Sequence, residues 1–308
     1  MQPLIDSGEA AADPGLLRHR LAADGYLFLR GLLPEADVRA AHDGVVAALH
    51  RGGWIDAAGR PAGKQRALTV KDALGDPAFR ASLITPGLNR LPYLAPLRNL
   101  VRSVLGATAF SYPVKVLRTV YPERLPAVTL GRYVHQDYQN SGVQDMLTTW
   151  LPLMEIPAAL GGLAVLPGSH LGPPARPRLL RADEPGWASA DFMPGDVLLF
   201  HCMTAHAARP NRADLVRLST DCRWQRSDQP APAEMILRPA DPLGQPAGQL
   251  ELFSRLFGHQ PWWQRVPAGL DLRSRAALTA ASAPPAPSRF FALHPGWQRW
   301  RPPGGPLR

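Results

Sequence analysis

Two textures of hydrophobic patterning divide the chain. Over the first hundred residues the apolar positions recur at helical spacing. Leu16, Leu17 and Leu21 form one stripe. Val38, Ala41, Val45 and Leu49 form another, whose period of about 3.6 predicts a helix opened by Pro34 and closed by Gly52 and Gly53. A further helix is predicted over about 92–105, stopped by Gly106. The run from Gly25 to Arg30 (GYLFLR) is too short for a helix and reads as a buried strand. From about Tyr112 the pattern shifts to short β-branched or alternating segments, at about 114–121, 131–137, 146–153, 162–166, 196–202 and 215–224. Turn-forming sets at 167–169, 194–196 and 210–212 separate several of them. Many short strands at this spacing predict a mainly β fold, a sandwich or barrel, with flanking helices.

No repeat period interrupts this order. One domain is expected over 1–282: a helical part to about 110, a β core over about 111–226 and a C-terminal extension over 227–282. A Pro/Gly-rich tail over 283–308 is expected to be extended. With 308 residues, the chain is long enough to bury such a core without covalent staples. A hydrophobic share of 45% against 19% charged residues excludes a disordered chain. Two cysteines, Cys202 and Cys222, exclude a disulfide scaffold and a cysteine-rich zinc module; both read as reduced core residues. No run reaches membrane-span length. The N-terminus carries Asp6, Glu9 and Asp13 without an apolar stretch, so a cytoplasmic chain with no membrane partner is expected.

The net charge of +9 comes almost wholly from arginine, since lysine occurs only at 64, 71 and 115. The arginines are scattered rather than gathered into a basic groove. This favours a small-molecule partner over nucleic acid and leaves the oligomeric state open.

Candidate chemistry centres on His135, Gln136 and Asp137. On a strand, side chains at i and i+2 share a face, so His135 and Asp137 can hold one ion together. Alone the pair means little: nine His and 18 Asp give roughly half of one such spacing by chance. His206, about 70 residues on, changes the weight. Two histidines and one carboxylate are the donor set of non-haem Fe(II) oxygenases, which leaves coordination positions open. Arg217, eleven residues further on the next predicted strand, is placed to clamp a carboxylate with paired hydrogen bonds. His201 and Arg212 repeat the same offset, but Arg212 falls in a turn, which favours His206. His170 reads as a loop residue near a cavity mouth, and Trp262 and Trp263 as packing for the C-terminal segment.

Taken together, the sequence resembles the phytanoyl-CoA dioxygenase family of iron- and 2-oxoglutarate-dependent oxygenases, from about Gly25 to Trp224. The residues that carry the resemblance are 25–31 (GYLFLRG), 135–137 (HQD), 161–170 (GGLAVLPGSH), 195–201 (GDVLLFH), and His206 with Asn211 and Arg217. The resemblance implies a double-stranded β-helix, a cupin-like jelly roll. It implies His135, Asp137 and His206 as catalytic centre and metal ligands, with Fe(II), 2-oxoglutarate and O2 as cofactor and co-substrates. Arg217 would anchor the far carboxylate of 2-oxoglutarate, Gln136 and Trp150 would lie near it, and Arg118 or Lys115 would assist.

The implied reaction couples decarboxylation of 2-oxoglutarate to hydroxylation of an unactivated C–H bond in an acyl, amino-acid or secondary-metabolite substrate. Asp137 favours hydroxylation over halogenation. Val134 stands where many members carry Trp. Ala208 replaces a Ser or Thr that often assists the arginine, leaving Thr204 or Ser219 for that role. A nucleic-acid-modifying oxygenase and a non-catalytic iron-binding jelly roll are the alternatives.

Overall fold

The computed structural model describes residues 1–64, 76–123, 133–172, 178–181, 184–236 and 266–281. The first leucine stripe becomes α1 (Pro14–Asp24), capped by the Asp13 carboxylate, which accepts from the Gly15 and Leu16 amides. Gly25 ends it at φ 78°. A Cβ there would lie 2.4 Å from His170 Nδ1 and 2.6 Å from Thr204 Oγ1, so glycine alone lets the chain turn straight into β2 (Tyr26–Leu29). The second stripe becomes α2 (Glu35–Arg51), with Pro34 as its cap.

Two short helices follow that the pattern did not predict, α3 (Pro77–Leu83) and α4 (Pro86–Arg90). The helix expected from 92 begins later, as α5 (Ala95–Leu105), because Leu91–Tyr93 forms a 3-10 turn first.

The β part is two sheets. The larger has the order β2, β9 (Val197–His201), β5 (Leu147–Pro152), β11 (Arg217–Arg226), β3 (Ala109–Val120), all antiparallel. The smaller has the order β1 (Gln2–Pro3), β8 (Ala188–Ser189), β6 (Leu163–Val165), β10 (His206–Ala208). The inner faces meet in one buried cluster: Leu163, Val165 and Ala188 of the smaller sheet pack with Phe28, Trp150, Leu198 and Phe200 of the larger. The outer face of the larger sheet carries Leu27, Leu29, Leu147, Leu151, Leu199, Leu218 and Cys222. The buried faces of α1, α2 and α5 cover it. The architecture is a mixed α/β one: a two-sheet sandwich buttressed on one side by helices.

Strand alternation sets what faces the interior. On β11, Leu218, Cys222 and Trp224 belong to the helix-side core. Arg217, Ser219, Asp221 and Arg223 therefore share the inner face. The strand expected over 131–137 is much shorter. It forms only β4 (Tyr133–Val134), paired with β7 (Arg178–Leu179), and an isolated bridge at His135; residues 131 and 132 lie outside the described residues. Asp137 is not in a strand at all. It has helical dihedrals (φ −61°, ψ −26°) and starts α6 (Tyr138–Ser141). The tail over 283–308 and Trp262 and Trp263 also lie outside the described residues. Among those residues, no helix is long and apolar enough to cross a membrane.

Candidate metal centre and co-substrate pocket

Three separate elements bring His135, Asp137 and His206 together at one end of the sandwich. His135 and His206 exchange backbone hydrogen bonds of 3.1 and 3.0 Å, and their rings lie 4.2 Å apart between centroids. The short turn after His135 then swings Asp137 back towards both rings. One ligand atom from each of the three residues lies within 4.8 Å of the others. The local fold thus achieves by a turn what the i, i+2 strand argument expected from alternation.

Hydrogen bonds fix the imidazole tautomers. His135 Nδ1 faces the Tyr133 carbonyl at 2.7 Å and His206 Nδ1 the Thr204 carbonyl at 3.0 Å. A carbonyl only accepts, so each Nδ1 carries a hydrogen, and in the neutral ring Nε2 is the atom that keeps a lone pair. Burial, reinforced by neighbouring His135, pushes the His206 pKa down to about 4, so its ring is neutral at neutral pH. Burial alone would raise Asp137, but Arg223 and the two histidines, with a Thr148 hydrogen bond, hold its carboxyl well below the usual range. Thr148 Oγ1 donates to Asp137 Oδ2 at 2.5 Å, and Arg223 Nη2 donates to Oδ1 at 3.0 Å. Two imidazoles held through Nδ1 and one anionic carboxylate suit a divalent non-haem iron, and the backbone carbonyls behind the rings supply the usual outer support.

Beside this triad, a small cavity of about 10 Å³ is lined by Arg118, His135, Trp150, Leu163, Phe200, His206, Ala208, Arg217 and Asp221. Arg217, 1% exposed, donates through Nη1 to the Gly161 carbonyl at 3.2 Å and lies 5.6 Å above the Trp150 ring. Burial lowers its pKa to about 9 despite the opposing pull of Asp221, so the guanidinium is still charged at neutral pH. Among the described residues, three buried polar atoms in this region have no partner: Arg217 Nε, Trp150 Nε1 and Ser219 Oγ. Unpaired buried donors are costly, and three on neighbouring inner positions mark a place built for an acceptor.

The remaining predicted residues sort clearly. Arg118 lines the cavity, with Nε and Nη2 both donating to Asp221 Oδ2 at 2.8 and 2.5 Å. Lys115 points the other way. Its Nζ donates to the Tyr112 and Pro113 carbonyls and lies over the Tyr93 ring on the helix side. Gln136 is buried away from the cavity lining, its amide donating to the Met203 carbonyl at 2.5 Å. Thr204 donates to the Gly25 carbonyl at 2.7 Å, which leaves Ser219 as the hydroxyl beside Arg217.

His201 sits on β9, outside the cavity lining, with its pKa well below the usual value through burial and the nearby His170. Arg223, Thr148 and Asp221 were not singled out in the sequence. Their one signal is parity: Asp221 and Arg223 continue the alternation begun by Arg217.

Residues 21–219 match the profile of the phytanoyl-CoA dioxygenase (PhyH) family, and the chain belongs to that family of iron- and 2-oxoglutarate-dependent oxygenases. It is similar to the 1-deoxypentalenic acid 11-beta-hydroxylase of Streptomyces exfoliatus, at 28% identity across 72% of this chain and 83% of the relative. The Streptomyces arenae enzyme of the same name is 27% identical over the same shares. Among solved structures, the non-heme alpha ketoglutarate dependent epimerase SnoN from nogalamycin biosynthesis superposes with a TM-score of 0.50 at 20% identity. That match covers 70% of this chain and 84% of SnoN, and it speaks for the fold.

Proposed function

We propose that the protein hydroxylates an unactivated C–H bond of a small organic substrate, with a jelly-roll core holding iron through His135, Asp137 and His206 and 2-oxoglutarate through Arg217. The observation that carries this reading is the joint geometry: a three-ligand cluster whose two histidines line the same cavity as a buried cation with unsatisfied donors around it. When bound, iron(II) with 2-oxoglutarate supplies the oxidising chemistry; the protein positions, shields and tunes.

Each residue's part follows from its surroundings. His135 and His206 present fixed lone pairs, and Asp137 supplies the negative charge. Arg217 pairs with the far carboxylate of 2-oxoglutarate, and Trp150 Nε1 and Ser219 Oγ are the neighbouring donors. Arg118 is neutralised by Asp221, so this end of the cavity keeps one net positive charge for one carboxylate. Phe200 and Leu163 close the walls and exclude water. The substrate is expected to be an acyl, amino-acid or secondary-metabolite compound. The 11-beta-hydroxylases, whose names state a hydroxylation of an organic acid, support the last of these.

The test is turnover. Purified protein incubated aerobically with Fe(II), 2-oxoglutarate and metabolite extract should form succinate and add one oxygen to one extract component by mass spectrometry. Unchanged extract and 2-oxoglutarate across such a screen would overturn the hydroxylase reading.

A further inference from the structure

The proposed iron site contains an ion pair that the three ligands alone do not require. Arg223 and Asp137 are 86 positions apart, both are buried, and Nη2 lies 3.0 Å from Oδ1. Among the described residues the guanidinium Nε has no partner, so Arg223 is not simply woven into a backbone network there. Thr148 holds the other oxygen, Oδ2, from β5. We propose that Arg223, together with Thr148, is a positioning residue that fixes the Asp137 carboxylate for metal binding; this rests on the metal-site reading above.

The physical argument concerns rotation. Asp137 stands at the start of a four-residue helical turn, with no strand neighbours to hold it. A carboxylate on a single donor can turn about its terminal bond. Donors on both oxygens, from two strands of the same sheet, remove that freedom. Each oxygen offers about two acceptor sites, so each still has one for a cation. The cost would be a buried cation held on the same carboxylate that would bind the metal. A pair kept despite that opposition has a role in placing the ligand.

Cobalt(II) titration of the metal-free protein, without 2-oxoglutarate or oxygen and followed by visible absorption, tests this alongside urea unfolding of each variant. Arg223→Gln should weaken cobalt binding about 10- to 100-fold, the usual consequence of removing an outer partner. Thr148→Val should weaken it by a smaller factor, and Arg223→Lys should recover part of the affinity because charge returns without the planar guanidinium that aims the donor. A folded Arg223→Gln protein with wild-type cobalt affinity, whatever its stability, would overturn the proposal and reduce Arg223 to a structural ion pair. If that variant does not fold, Arg223→Lys and Thr148→Val decide, and wild-type affinity in both overturns it. Failure of the wild type itself to bind cobalt would instead bring down the metal-site reading on which it rests.

Discussion

At the scale of single residues, His201 and His206 show how position outweighs identity. Both are buried histidines five positions apart, yet His206 Nδ1 rests on the Thr204 carbonyl and its ring lies tilted beside that of His135, whereas His201 accepts from the Met203 amide on the other side of the turn. His206→Ala is expected to abolish stoichiometric Fe(II) binding, while His201→Ala keeps iron and lowers stability by about 2 kcal/mol or more through loss of a buried side chain. Metal analysis after gel filtration, with urea midpoints, separates the two; iron retained by His206→Ala would contradict the assignment. His135, Asp137, His206 and Arg217 were legible because their types and order are rare together. Arg223 was not, because parity on β11 gives only its face, and an ion pair spanning 86 residues leaves no local trace of the partner. Gln136 was readable only through the family resemblance, and its amide turns to Met203 instead of the cavity.

Among the elements, β11 organises the site. Its inner face presents Arg217, Ser219, Asp221 and Arg223 in succession, so one strand carries the proposed co-substrate clamp at one end and the partner of Asp137 at the other. The clamp depends on a second element. Gly161, at φ +77°, offers its carbonyl to Arg217, and a Cβ there would lie 2.5 Å from the Arg209 carbonyl oxygen and 2.6 Å from that of Pro210. Left-handed backbone at a non-glycine residue costs about 1–3 kcal/mol, and the clash adds to it. Gly161→Ala should therefore lower the urea midpoint and, by displacing Arg217, weaken 2-oxoglutarate binding at least several-fold. A variant with wild-type values for both would mean that the contact positions nothing.

The long strands and α2 were visible in the pattern because their alternation and 3.6 period extend over enough residues to average out exceptions. The two-residue strands β1, β4, β7 and β8 carry no period at all. The turn at Asp137 hides behind a strand-like run. Helix α3 did leave a readable sign, the Asp76 carboxylate accepting from the Ala78 and Phe79 amides ahead of Pro77, but it covers only seven residues.

Across the whole molecule, one of the polar junctions that tie the helical layer to the sandwich lies at the end of α1. His170 Nε2 meets the Ala22 carbonyl at 3.0 Å, and the Gly168 amide donates to the Asp24 carbonyl. Burial pushes the His170 pKa down to about 4 from 6.5, against a raising backbone hydrogen bond. The unfolded chain therefore takes up a proton that the folded chain refuses between those values. The stability due to the neutral ring is present above about 6.5 and is lost as pH falls towards 4, by up to about 3 kcal/mol. Urea unfolding between pH 8 and 4 should show this loss, and His170→Asn should flatten the profile. An unchanged slope in the variant would show that other groups set the acid sensitivity.

The central claim joins the two ends of the cavity: a three-ligand iron centre and an arginine that holds the co-substrate beside it. It is tested most directly by adding 2-oxoglutarate to the anaerobic Fe(II) protein and following the visible absorption that iron(II) and 2-oxoglutarate give when bound together. Removing one partner of a buried, hydrogen-bonded charge pair costs on the order of 2–5 kcal/mol. That corresponds to roughly 30-fold to several-thousand-fold in affinity. Wild type is expected to show the band with saturable binding. Arg217→Ala should bind iron normally but require that much more 2-oxoglutarate, Arg217→Lys should recover part, and Arg212→Ala should match wild type. Equal 2-oxoglutarate affinity in wild type and Arg217→Ala would contradict the clamp, and absence of the band in wild type would contradict the account as a whole.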